Sequence, residues 1–115
     1  MFSIPDRQKL SAVEKLCLLD NPYIYPENYQ ELFLSAMKES VAFHAENNSI
    51  YRKILLQNKF GIEQLKKIED LPRIPFILAS FFKRHEIISI EKEKISLHLT
   101  SSGTSGQKSQ IFFDE

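Results

Sequence analysis

The apolar residues of this chain keep two different periods, and the change between them near His85 sets the fold class. Upstream they recur every three or four positions. Tyr29, Leu32, Phe33, Ala36, Met37, Ser40 and Phe43 form one stripe, which predicts an amphipathic helix from Glu27 to about Glu46. Downstream the period is two. Ile95, Leu97 and Leu99 alternate with Ser96, His98 and Thr100, and Ile111 and Phe113 alternate with Phe112 and Asp114. Period two is the signature of a strand with unlike faces, so strands are predicted at about 95–100 and 109–114. The chain therefore reads as α+β, with a mainly helical region over 1–84 and a strand–loop–strand unit over 85–115.

Punctuation residues divide the helical region. Ser11 and Glu14 have capping-box spacing ahead of Val13, Leu16 and Cys17, and Asp20-Asn21-Pro22 stops that short helix. Cys17, beside Leu16, is expected in the core. Asn47-Asn48-Ser49 breaks the long helix and caps another carrying Ile50, Tyr51, Ile54 and Leu55 on one face. Gly61 is expected to end it in the left-handed conformation. Ile62, Leu65 and Ile68 suggest one more helical stretch. Pro72 and Pro75 then predict an extended passage, because the residue before a proline avoids the helical region. Leu78–Arg84 is expected to form a short helix.

Between the two strands lies the segment that carries chemistry, Thr100-Ser101-Ser102-Gly103-Thr104-Ser105-Gly106-Gln107-Lys108-Ser109. Hairpin loops usually run about 2–5 residues; this one is longer and polar. Glycines at 103 and 106 let the backbone turn tightly, so that several N–H groups point at one anion. Hydroxyl side chains before and between them offer rotatable donors to phosphate oxygens, and Lys108 adds a positive charge. Walker loops space their glycines five apart, and the dinucleotide fingerprint needs a helix directly after them. Neither fits here.

Composition narrows the alternatives. Lys+Arg and Asp+Glu are equal at 15 each, which argues against a broadly basic nucleic-acid surface. Cys17 is the single cysteine, so no intrachain disulfide forms. The apolar run Ile74–Ala79 is too short for the roughly 18 residues of a membrane span. No signal peptide is legible, and a cytoplasmic location is expected. His44, His85 and His98 lack metal-ligand spacing. His98, on the polar side of the strand entering the loop, is the histidine closest to the predicted site.

Thr100-Ser101-Ser102-Gly103-Thr104-Ser105-Gly106 resembles, residue by residue, the phosphate-loop signature of the adenylate-forming enzymes. Ordinary members continue with a variable residue and Pro-Lys. This sequence has Gln107-Lys108-Ser109, and serine at 109 suits the acyl-protein synthetase branch. Asn48-Ser49-Ile50-Tyr51-Arg52 is similar to a helix start in phenylacetate–CoA ligase relatives, and Glu69-Asp70-Leu71-Pro72-Arg73-Ile74-Pro75 to a later segment of theirs. Ser80-Phe81-Phe82-Lys83 resembles acyl-protein synthetases of the LuxE type.

The resemblance implies the N-terminal portion of an adenylate-forming domain, spanning 1–115, in which a carboxylic acid, fatty acyl in this branch, is activated by ATP with Mg2+. The acyl group then passes to a thiol acceptor, with acyl-reductase or transferase proteins as partners. Thr100 through Gly106 and Lys108 would grip ATP. No catalytic residue and no metal ligand is assigned, and the 115 residues alone are expected to be inactive. Two other readings stay open: a phenylacetate–CoA ligase-like fragment, and a helical interaction module whose Ser/Gly segment is a flexible tail.

Overall fold

A computed structural model describes residues 6–21, 23–100 and 108–114. Helix α1 runs Ser11–Cys17, α2 Tyr29–Asn47, α3 Ser49–Gln57 and α4 Phe81–Arg84. Three 3-10 turns, Ile62–Gln64, Ile68–Arg73 and Lys92–Lys94, connect them. Strands β1 (Leu97–Thr100) and β2 (Gln110–Phe113) close the described chain as an antiparallel pair. The predicted α+β content is observed, with helical turns continuing to Lys94 before the strands begin at Leu97.

The expected capping box of α1 does not form. Leu10 is the N-cap and no cap side chain bonds the first turn. The orphan N–H groups are satisfied from α2 instead: the Glu39 carboxylate accepts from Ala12 N at 2.8 and 2.9 Å, from Val13 N at 2.9 Å and from Ser11 Oγ at 3.1 Å. A carboxylate is acceptor-rich enough to serve three donors and favours the positive end of a helix. One side chain thus caps α1 and docks it on α2. Glu39→Ala is expected to cost about 1–2 kcal/mol, the loss typical of a removed N-cap, while Ser11→Ala costs less. An unchanged urea midpoint in Glu39→Ala would show that α1 docks by apolar contact alone.

Helix α2 is wider in its contacts than its stripe foretold. Its buried residues are Ala36 and Val41, and Leu34 and Ala45 also reach the core. That core gathers Val41, Leu55, Phe60 and Leu65, with Tyr51, Ile62, Leu71 and Ile74 packed around it.

Helix α3 ends two residues earlier than the glycine reading required. Phe60 N donates to Leu55 O at 3.0 Å and Lys59 N to Leu56 O at 3.1 Å, the paired bonds of a Schellman turn. Its left-handed residue is Lys59, at φ 52°, whereas Gly61 is extended at φ −135°, ψ 155°. Phe60, folded back by this turn, meets Leu55 in the core. Lys59→Gly is expected to stabilise by about 0.5–1 kcal/mol, the relief of left-handed strain less the entropy of glycine. The atoms nearest a Cβ at Gly61 would be those of the movable Glu63 carboxylate. Gly61→Ala is therefore neutral or stabilising, by up to about 1 kcal/mol. Thermal unfolding of the two variants checks the pair; a stability loss in Gly61→Ala with none gained in Lys59→Gly would restore the glycine reading.

Pro72 also departs from expectation. It sits inside the Ile68–Arg73 turn rather than in extended chain, and the extended residue is Ile74, before Pro75, at φ −60°, ψ 124°. Asp70, 6% exposed, holds the start of this turn by accepting from Lys66 N at 3.0 Å and Lys67 N at 3.1 Å. The Lys66 amide above all holds the Asp70 carboxyl below its ordinary pKa, with help from Lys67 and the nearby Arg73. Downstream, the predicted 78–84 helix is confined to α4, and Cys17 is exposed rather than buried.

Candidate functional site

The hairpin presents the predicted loop. Its register pairs Leu97 with Phe113, His98 with Phe112, Leu99 with Ile111 and Thr100 with Gln110, and Ser96 N extends the ladder to Phe113 O at 2.7 Å. Of the eight residues predicted to bind ATP, Thr100 closes β1 and is exposed, and Lys108 lies exposed ahead of β2. Ser101, Ser102, Gly103, Thr104, Ser105 and Gly106 lie outside the described residues. What the structure supplies is the frame: directly paired strand residues sit about 5 Å apart at Cα, so both ends of the segment are held side by side.

The two faces of the hairpin differ. Leu97, Leu99, Ile111 and Phe113 share one face and are 44–50% exposed. On the other face His98 stacks on Phe112 with ring centroids 4.4 Å apart, and Phe112 turns toward the helical body.

There it helps to line a half-open cavity of about 520 Å³ that sequence reading did not anticipate. Helix α2 forms one wall through Met37, Ser40, Val41 and His44. The segment Ile87–Ile90, joined to α2 through Ser89, lines it as well, together with Ile77, Phe82 and Phe112. A polar cluster sits at the α2–α3 corner. The Ser89 hydroxyl lies 2.5 Å from His44 Nδ1, and Asn48 Nδ2 donates to Ser89 Oγ at 3.4 Å. Asn48 is 3% exposed, and its Oδ1 accepts from Tyr51 N at 3.1 Å, capping α3. Partial desolvation lowers the pKa of the His44 ring, which still keeps exposed surface, and burial raises that of Tyr51. His44 thus favours its neutral form, and the corner reads as uncharged and internally satisfied. Only the Asn48-Ser49-Ile50-Tyr51-Arg52 motif hinted at this corner.

That motif has a structural basis. While Asn48 caps α3, Arg52 reaches back to the end of α2, donating from Nε to Ala45 O at 2.7 Å and from Nη2 to Glu46 O at 2.6 Å. A cation on the last carbonyls of a helix meets its negative end. The two helices are therefore locked at a fixed angle by residues four apart. Among the described residues no group of three or more His, Cys, Asp or Glu is placed to hold a metal ion, and no helix is long and apolar enough to cross a membrane.

The profile of the acyl-protein synthetase family LuxE matches residues 1–115. A long-chain-fatty-acid–luciferin-component ligase of Vibrio harveyi is 28% identical over 105 residues, which cover 90% of this chain and 27% of the relative. Its namesake from Aliivibrio fischeri is 30% identical over 105 residues, again 90% and 27%. One from Photorhabdus luminescens is 26% identical over 115 residues, 96% of each chain. The chain thus spans about a quarter of the length of the first two. No solved structure matches it.

Proposed function

From the premise that this chain belongs to the acyl-protein synthetase family LuxE, we propose that it contributes the ATP-gripping part of an enzyme that activates a long-chain carboxylic acid. The names of the Vibrio and Aliivibrio relatives, ligases of a long-chain fatty acid with a luciferin component, support the acid and a protein acceptor as its substrates. The observation that carries the reading is the hairpin register: Thr100 and Gln110 are paired, so the Thr-Ser-Ser-Gly-Thr-Ser-Gly signature bridges adjacent strands.

In the proposed reaction the acid's carboxylate oxygen attacks the α-phosphorus of ATP. The bond from that phosphorus to the bridging oxygen breaks, pyrophosphate leaves, and an acyl-adenylate remains. A thiolate then attacks the acyl carbonyl and AMP departs. Residues 100–106 would place backbone and hydroxyl donors around the β- and γ-phosphates, and Lys108 would add charge. Their work is positioning and neutralisation; none of them is a nucleophile or a base. Mg2+ would accompany ATP, with no ligand assigned in this chain.

The helical region's part is mechanical. The α2–α3 lock made by Asn48 and Arg52, and the Asp70-held turn that brings Leu71 and Ile74 onto the core, fix the platform from which the hairpin projects. Isotope exchange between pyrophosphate and ATP, dependent on tetradecanoate, tests the reading in the full-length enzyme. Exchange that proceeds equally without a carboxylic acid would dismiss it.

A further inference from the structure

We infer that the cavity between α2, the Ile87–Ile90 segment and Phe112 receives the hydrocarbon tail of the acyl substrate, with the charged head left outside. The inference rests on the proposed function for the identity of the acid and on this structure for the place of its tail.

Three properties of the cavity select such an occupant. Its volume, about 520 Å³, lies within the roughly 300–1,000 Å³ of small-molecule sites. Its walls are aliphatic and aromatic, from Met37 and Ile77 to Ile88 and Phe112, and no lysine or arginine is among its described lining residues. A carboxylate or triphosphate taken inside would meet no cation and would lie near Asp114, which also lines the cavity; a buried unpaired charge is costly. At its polar corner His44, Asn48 and Ser89 hydrogen-bond one another. What fits is an uncharged, flexible, apolar chain.

The geometry also relates the cavity to the hairpin. Phe112, in its wall, and Lys108, ahead of β2, are four residues apart, about 13 Å at the rise of a strand. A long chain anchored beside Phe112 has its head free to emerge along β2 toward the end where Thr100 pairs with Gln110.

Equilibrium dialysis of this chain with labelled tetradecanoate, below its micelle concentration and without ATP, tests the inference. Saturable binding at one site is expected. Tetradecan-1-ol should compete within about tenfold, because the head is not read. Each buried methylene is worth about fourfold, so octanoate should be weaker by more than a hundredfold. Ile88→Trp and Met37→Trp fill the cavity from two different elements, and each should lower affinity more than tenfold while leaving the far-UV circular dichroism unchanged. Ile111→Ser, on the outer hairpin face, should bind as the parent chain does.

Equal affinity for octanoate and tetradecanoate, or loss of binding in Ile111→Ser with retention in both tryptophan variants, would place the chain on the outer face and overturn the inference. Absence of saturable binding would overturn it too. These outcomes are separable from the proposed function. Tetradecanoate-dependent exchange with an unchanged KM in full-length Ile88→Trp would leave adenylation standing and remove the tail site. Tail binding without any exchange would do the reverse.

Discussion

Valine at Gly103 or at Gly106 is expected to abolish carboxylate-dependent ATP–pyrophosphate exchange in the full-length enzyme. The loop proposed to hold the phosphates works through backbone N–H groups, and these must approach the anion closely. A β-branched side chain stands in that approach and penalises any positive φ the turn requires. The loss should appear in exchange and in ATP affinity together, while helical content is unaltered, since the core of Val41, Leu55, Phe60 and Leu65 is drawn from residues 41–65. Lys108→Ala makes a graded comparison. Removing one charge-assisted contact, about 1.5–3 kcal/mol, corresponds to roughly tenfold to a hundredfold, and the solvent exposure of Lys108 points to the lower end. Exchange at the parent rate in both valine variants would exclude a phosphate role for residues 100–106.

The largest effect on stability is expected from Leu65→Ala. Leu65 has no exposed surface and joins Val41, Leu55 and Phe60 at the centre of the core. Leucine-to-alanine changes at such sites cost about 2–5 kcal/mol, the transfer term plus the cavity left behind. That is a large share of the roughly 5–15 kcal/mol available to a typical domain. The cluster is small, so few neighbours can relax into the gap. Leu65→Met, which conserves volume, should cost less than about 1.5 kcal/mol. Urea unfolding followed by circular dichroism distinguishes the two; equal midpoints for Leu65→Ala and the parent chain would mean that this cluster does not hold the fold.

The two upstream motifs that resemble adenylate-forming relatives prove to be architectural where the structure describes them. Asn48 and Arg52 cap the facing ends of α3 and α2, and Asp70 organises the turn that delivers Leu71 and Ile74 to the core. Their order along the chain made the family legible, yet their chemistry is that of caps and turns. The chemistry proposed for catalysis is concentrated in the hairpin loop.

What the sequence determined by itself was local. The switch from helical to alternating period placed α2, α3 and the two strands, because those periods express the geometry of a single element. The Thr-Ser-Ser-Gly-Thr-Ser-Gly run identified a candidate phosphate loop because its residue types act within a few positions of one another. Tertiary structure decided whatever joins distant positions. Ser11 lost its capping role to Glu39, 28 residues on, because a carboxylate on a neighbouring helix satisfies several N–H groups at once. The left-handed residue fell at Lys59 rather than Gly61 because the return of Phe60 onto Leu55 outweighs the strain of one side chain. The cavity draws its walls from positions as far apart as Met37 and Asp114. No period marks it: its residues become neighbours only when α2, the Ile87–Ile90 segment and β2 are packed together.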